Sequence, residues 1–334
     1  MKKLLTILIV ALYASVLQSC SDADDEPIVY LTLDSYSSLA SESDAEYLAI
    51  VGDTQTMVYE PKNQKYFIHT VNWLSEMNCF TGGRLKAVLQ TGDLTEKNSK
   101  WEWTFIKHVF SKLADSIPLI YSTGNHDYDP ASAHSVKIYS RNSTRINSFP
   151  IQTPAQKALI ERFESDRLEN ALYRIYIKDV EYYILALEFA PRTEVFAWAE
   201  KLIKNNPDKA IIILNHEFLT DYGNHVQTKY SFAKIQIADE NFVAPQIIWE
   251  RLIYPYDNVR MLVCGHNTGF SWRTDPNING REVPQVMFNL QTYPHGGNGL
   301  MMLLKTLDGH KFNSTILSTI SGDTLPESCI NFVL

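Results

Sequence analysis

Pro118-Leu119-Ile120-Tyr121-Ser122-Thr123-Gly124-Asn125-His126-Asp127 is a short apolar run that breaks, after two hydroxyl residues, into a glycine followed by an amide, an imidazole and a carboxylate. A run of this length, bounded by turn residues, reads as a buried strand, and the glycine lets the backbone turn sharply toward a small ligand. The same order recurs along the chain. Residues 47–51 lead into Gly52-Asp53-Thr54-Gln55, 86–90 into Gly92-Asp93, 210–214 into Asn215-His216, and 259–263 into Gly265-His266-Asn267-Thr268. Strand ends are where open α/β sheets gather their ligands. Carboxylate, amide and imidazole groups together suit Zn, Mn or Fe bound through oxygen and nitrogen.

Between these runs, residues 64–77, 101–113 and 195–204 carry apolar side chains at helical spacing and are expected to be helices with one face on the core. Residues 171–177 and 182–188 are expected to form a hairpin about 178–181, and 300–306 with 312–317 a second about Asp308-Gly309. Short strands alternating with amphipathic helices predict an α/β fold of two packed mixed β-sheets flanked by helices. The 334 residues are 45% hydrophobic, enough to bury a full core, and no repeat or linker divides residues 46–334, which read as a single domain. A net charge of −8 without any Lys/Arg block excludes a long unspecific grip on nucleic acid. The 12% aromatic content, with 18 Tyr, excludes a disordered chain.

The N-terminus reads as an export signal over residues 1–19: Lys2 and Lys3, an apolar stretch over 4–17 too short for an ordinary membrane span, then Ser19 before Cys20. Leu17-Gln18-Ser19-Cys20 resembles a bacterial lipobox with Cys20 as the lipidated residue. The acidic run Ser21-Asp22-Ala23-Asp24-Asp25-Glu26 then resembles the surface-export tether of Bacteroidetes lipoproteins; a plain solvated linker is the other reading. Residues 20–45 are expected to be a polar tether with one short strand at 28–33. The expected location is the outer membrane, with membrane contact only through the lipid. Cys79, Cys264 and Cys329 then remain, an odd number that leaves room for one bridge and rules out a disulfide framework.

The five clusters, in this order, resemble the calcineurin-like metallophosphoesterases, whose pattern runs Asp-x-His, Gly-Asp, Gly-Asn-His-Asp/Glu, His, Gly-His-x-His. The resemblance extends over roughly residues 47–319. It is greatest to a bacterial branch whose first motif is Asp-Thr-Gln, as Asp53-Thr54-Gln55 is here, with Phe288-Asn289-Leu290-Gln291 and Gly296-Gly297-Asn298-Gly299 also similar to that branch. It implies a four-layer α/β/β/α sandwich around two divalent or trivalent ions, Mn, Fe or Zn. Asp93 would bridge the ions. Asn125, His216 and His266 would complete the second, and Asp53 and Gln55 would serve the first. His126 would protonate the leaving oxygen, with Asp127 orienting its ring. The chain departs from the pattern at Gln55 and Thr268, both histidine positions at the first ion, and carries Glu96 where some relatives have a rescuing tyrosine. His225 and His295 are candidates to substitute there or to line the substrate loops, and Arg273 is a candidate to hold a substrate phosphate.

The implied reaction is hydrolysis of a phosphomonoester or phosphodiester, a water shared by the two cations becoming hydroxide near neutral pH. The expected substrate is a small-molecule or lipid phosphate ester, chosen by loops such as 128–150 and 220–237, and the expected state is a monomer. The alternative is a catalytically degenerate surface lipoprotein that binds a phosphate-bearing or glycan ligand. A serine hydrolase is excluded by the lack of a Gly-x-Ser-x-Gly elbow.

Overall fold

The computed structural model describes residues 42, 44–132, 134–138, 140–148, 158–238 and 240–334. The leader, Cys20, the acidic run and the strand expected at 28–33 lie outside the described residues. Among the described residues no helix is long and apolar enough to cross a membrane.

Two seven-stranded sheets carry the fold. In the first, β1 (Glu46–Val51), β2 (Leu85–Gln90) and β3 (Leu119–Tyr121) run parallel. The hairpin of β11 (Leu300–Thr306) and β12 (Lys311–Ser318) joins antiparallel to β1, with β13 (Thr324–Leu325) and β14 (Asn331–Val333) along β12. The second sheet runs in the order β4 (Leu159–Arg162), β5 (Ala171–Ile177), β6 (Val180–Ala186), β7 (Ala210–Leu214), β8 (Val259–Cys264), β10 (Glu282–Asn289), β9 (Gly269–Pro276). Its central pairs β6/β7, β7/β8 and β8/β10 are parallel.

The period-two alternation of side chains along a strand builds the layers. Leu48, Ile50, Leu89 and Ile120 face the second sheet and pack with Tyr182, Ile184, Ile212, Leu214, Met261 and Val263. Tyr47, Ala49, Val51 and Val88 point the other way. They pack on helices α2 (Gln64–Phe80) and α3 (Lys100–Phe110) through Phe67, Val71, Trp103, Ile106 and Phe110; α1 (Gln55–Tyr59) is the short helix that opens the first connection. On the far side, Leu185, Ile211, Ile213 and Leu262 pack on α4 (Thr193–Asn205) through Val195, Phe196, Leu202 and Ile203. Each such side chain contributes about 1.5–3 kcal/mol by leaving water, and a one-residue slip of any central strand would exchange its two faces. The expected four-layer sandwich is therefore the observed one.

The differences are local. The first hairpin turns in two residues, Lys178 at φ 54° and Asp179, so β6 begins at Val180, ahead of the expected 182. Strands β4, β9, β10, β13 and β14 are not among those expected from the sequence. Cys79, Cys264 and Cys329 are free thiols, so no bridge forms among them.

Candidate metal centre

The five polar clusters leave the carboxyl ends of β1, β2 and β3 in one sheet and of β7 and β8 in the other. Their glycines are needed for close approach. A Cβ on Gly124 would overlap the backbone nitrogen and Oδ1 of Asp93, and one on Gly92, at φ 103°, would sit 2.6 Å from His216 Nδ1. Asp93 and His266 themselves occupy the left-handed region, at φ 50° and 65°, a conformation that costs a non-glycine residue about 1–3 kcal/mol. Asp93 is held there in part because its carbonyl accepts the N–H groups of Thr54 and Gln55, both at 3.0 Å, at the start of α1.

Side chains from both sheets meet around Asp93. Its Oδ1 accepts the His126 N–H at 2.8 Å, and its Oδ2 lies 3.3 Å from His216 Nε2. The fully buried His216 places Nδ1 2.9 Å from the Thr91 carbonyl. That carbonyl can only accept, so Nδ1 carries the proton and Nε2 turns inward. Asn125 Oδ1 and His266 Nδ1 each lie 3.2 Å from the same Nε2. Asp93, His216 and His266 offer ligand atoms within 4.8 Å of one another. Four atoms that are natural acceptors thus face one small space, an arrangement that a divalent cation satisfies and neutral partners do not.

The charges tell the same story. Burial works against a charge on His216, but the carboxylates of Asp93 and Asp53 outweigh it and push the imidazole up to about 10. Burial and the adjacent His216 push His266 down to about 3. Of the two buried carboxyls, Asp53 is raised, by desolvation, to about 8, whereas Asp93 is drawn below the usual carboxylate range by His216 despite its burial. Without an ion, a proton on His216 balances the anionic Asp93. The chemistry of Asp93, Asn125, His216 and His266, brought together in this way, fits a metal ion.

The half of the site implied for a first ion is built differently. Asp53 Oδ2 accepts from Asn289 Nδ2 at 2.7 Å, and Oδ1 accepts from the Thr91 hydroxyl and the His266 N–H, both at 3.3 Å. Gln55 donates Nε2 to Asp93 Oδ2 at 3.0 Å, while its buried Oε1 has no partner. Thr268 is exposed on the turn before β9. Among the described residues, Asp53 stands outside the carboxylate and imidazole group formed by Asp93, His216 and His266.

His126 rests Nδ1 2.9 Å from the Glu96 carbonyl and 3.6 Å from Glu96 Oε2. Burial disfavours its charge, but Asp93 and Glu96 prevail and its pKa is raised. The loop bearing Glu96 is fixed by buried Glu102 of α3, whose Oε1 accepts the Glu96 N–H at 2.8 Å. Asp127 does not orient this ring, as the resemblance had implied. Its carboxylate accepts the N–H groups of Leu94, Thr95 and Gly124 and the Thr95 hydroxyl, at 2.9–3.2 Å, because the tight turn at Asn125–Asp127 points it back toward the Gly-Asp loop. It braces two ligand loops against each other, and burial, with Asp93 adding to it, raises its pKa to about 6.

Three expected candidates stand apart. Arg273 spends its guanidinium on Asp275, with Nε 2.5 Å from Oδ2, and on the Gly223 carbonyl at 3.2 Å. It pairs with Gln285 in the β9/β10 ladder, four residues from the Gly269–Asn289 pair beside Asp53, about 13 Å along the strand. His225 is bonded to that same Gln285 at 2.5 Å and packs on Phe218 and Trp249. His295 stacks on Tyr66 with ring centroids 4.5 Å apart. Each is engaged by these partners, and neither histidine belongs to the group of Asp93, His216 and His266. Conversely, the sequence reading assigned no role to Asn289, Glu96 or Glu217. Asn289 lay in a motif already noted for its resemblance, and its amide also binds the His266 carbonyl at 2.9 Å. Glu217, next to His216, accepts the Phe232 N–H at 2.7 Å as α5 (Phe232–Gln236) begins, and the Phe232 ring packs 4.5 Å from His266.

Comparison with known proteins agrees with this architecture. Residues 47–268 match the calcineurin-like phosphoesterase family. A Bacillus subtilis protein, YvnB, described as uncharacterized, is 24% identical over 242 residues, 66% of this chain but only 16% of that protein, so the chain spans about a sixth of its length. A purple acid phosphatase from yellow lupin (Lupinus luteus) seeds shares the fold with a TM-score of 0.50 at 17% identity, over 86% of this chain and 53% of that one. A 5'-nucleotidase precursor from Thermus thermophilus matches with a TM-score of 0.46 at 12% identity, over 87% and 54% of the two chains. The match over residues 47–268 takes in Asp93, Asn125, His216 and His266, and on it the chain belongs to the calcineurin-like phosphoesterases.

Proposed function

We propose that this chain hydrolyses small-molecule or lipid phosphate esters at the Asp93–Asn125–His216–His266 centre, with His126 as the proton donor to the leaving oxygen. The observation that carries the reading is the convergence of four acceptor atoms on one space, with the His216 tautomer fixed by the Thr91 carbonyl. A metal ion bound there would lower the pKa of water and offset the charge of the phosphate. The protein supplies the rest. Thr91 and Asn289 hold His216 and His266 at their posts. Nδ1 of His126 faces the Glu96 carbonyl, which leaves Nε2 for the substrate side, and the raised pKa keeps that nitrogen protonated nearer to neutral pH.

The alternative of a degenerate receptor is not favoured, because one complete ligand set remains. Chelator-stripped protein should hydrolyse generic phosphomonoesters or diesters only after Mn, Fe or Zn is restored. His126→Ala should keep its metal and lose roughly 10²–10⁴-fold in turnover. Activity indifferent to chelator and to His126→Ala would defeat the proposal. In the same reading the chain is a monomer and an exported outer-membrane lipoprotein, the export and the anchor being supported by residues 1–26. Cys20→Ala should release it from the membrane fraction, and unchanged membrane retention would contradict the anchor.

A further inference from the structure

The family pattern stated above calls for two ions bridged by a carboxylate. A bridge must turn a lone pair toward each ion, from one carboxylate oxygen or from both. Here Asp93 Oδ1 is committed to the His126 N–H at 2.8 Å, and Oδ2 faces both His216 Nε2 at 3.3 Å and the Gln55 amide nitrogen at 3.0 Å. On the side where the first ion would lie, the groups nearest the carboxylates are donors. Gln55 Nε2 points at Asp93, and Asn289 Nδ2 and the Thr91 hydroxyl point at Asp53. Donor hydrogens repel a cation and do for a carboxylate what a cation would otherwise do. The remaining first-ion position is Thr268, an exposed hydroxyl. Among the described residues, the carboxylate and imidazole group able to hold an ion is Asp93, His216 and His266, and Asp53 is outside it.

We propose that this centre holds one divalent ion, and that the amides of Gln55 and Asn289 replace the second by hydrogen-bonding Asp93 and Asp53. The inference rests on the proposed function, since it concerns the same site. The orientation of the Gln55 amide follows from chemistry: turned over, Oε1 would oppose Asp93 Oδ2, acceptor against acceptor. In the orientation found, Oε1 is buried without a protein partner.

The full chain, loaded with excess Mn(II) and desalted, gives the test. Metal content should be one Mn per chain, and the electron paramagnetic resonance spectrum should be the six-line pattern of an isolated Mn(II). The double variant Gln55→His/Thr268→His removes the donor and restores two imidazoles, so it should approach two Mn per chain with a spin-coupled spectrum. Two coupled ions in the unaltered chain, with hydrolysis present, would overturn this inference and leave the proposed function standing. No bound ion and no metal-dependent hydrolysis would overturn both. If the double variant fails to fold, the count in the unaltered chain still decides.

Discussion

Raising the pH should tighten metal binding steeply, because the ion must displace the proton of His216. In the metal-free chain that imidazole is held at about 10 by Asp93 and Asp53 against the cost of burial, so near neutrality Nε2 carries a proton where a ligand lone pair is needed. The gap from pH 7 is about three units at roughly 1.4 kcal/mol each. An ion binding at pH 7 therefore forfeits about 4 kcal/mol, roughly a thousandfold in affinity, compared with binding to the neutral ring. Calorimetric titration with Mn(II) or Zn(II), in buffers of different ionisation enthalpy, should give a dissociation constant that falls at least tenfold per unit between about pH 6 and 9. It should also register about one proton released per ion at pH 7. Asp53, raised by desolvation to about 8, can only add to that slope. The same proton sets the stability of the metal-free chain. A folded pKa raised from 6.5 to about 10 contributes stability that is complete below about pH 6.5 and is lost as pH rises through about 10. In chelator, Tm should fall across that window, and saturating ion should abolish the fall. A dissociation constant flat from pH 6 to 8, with no buffer-dependent heat, would refute the reasoning.

Two further outcomes follow from the packing. Gly124→Ala puts a methyl group into the Asp93 backbone and carboxylate, and overpacking of this kind costs about 1–3 kcal/mol. Denaturant unfolding should register that loss together with weaker metal uptake, and a variant of unchanged stability and metal content would show that the loops give way freely. Arg273→Ala should leave kcat and KM within about twofold of the unaltered enzyme, since its donors serve Asp275 and the Gly223 carbonyl. A rise in KM alone would return it to the substrate.

The central strands were legible because each is an apolar run closed by a polar cluster, and a strand buried on both faces needs nothing else. The β9/β10 hairpin was not. Its outer strand, Gly269–Pro276, mixes Ser271, Arg273 and Asp275 with aromatics at a sheet edge, and its inner strand contains Pro284, which cannot donate to a ladder. In the site, the four proposed ion ligands announced themselves because each follows a strand. Side-chain direction did not. Asp127 adjoins His126 in sequence, yet the tight turn sends it to Leu94 and Thr95 while Glu96 takes the ring. Asn289 is 236 positions from the Asp53 it clamps, so only the docking of the two sheets brings their chemistry together.

That docking also dictates when metal can be acquired. The loops after β2 and β3 contribute Asp93 and Asn125, while those after β7 and β8 contribute His216 and His266, so an ion at the proposed centre would clasp a seam between halves that each own only two of its four ligands. A chain whose layers have not yet closed presents no cage worth entering. Loading at the proposed centre would thus follow closure of the sandwich, and a bound ion would act as a rivet that any opening must first shed.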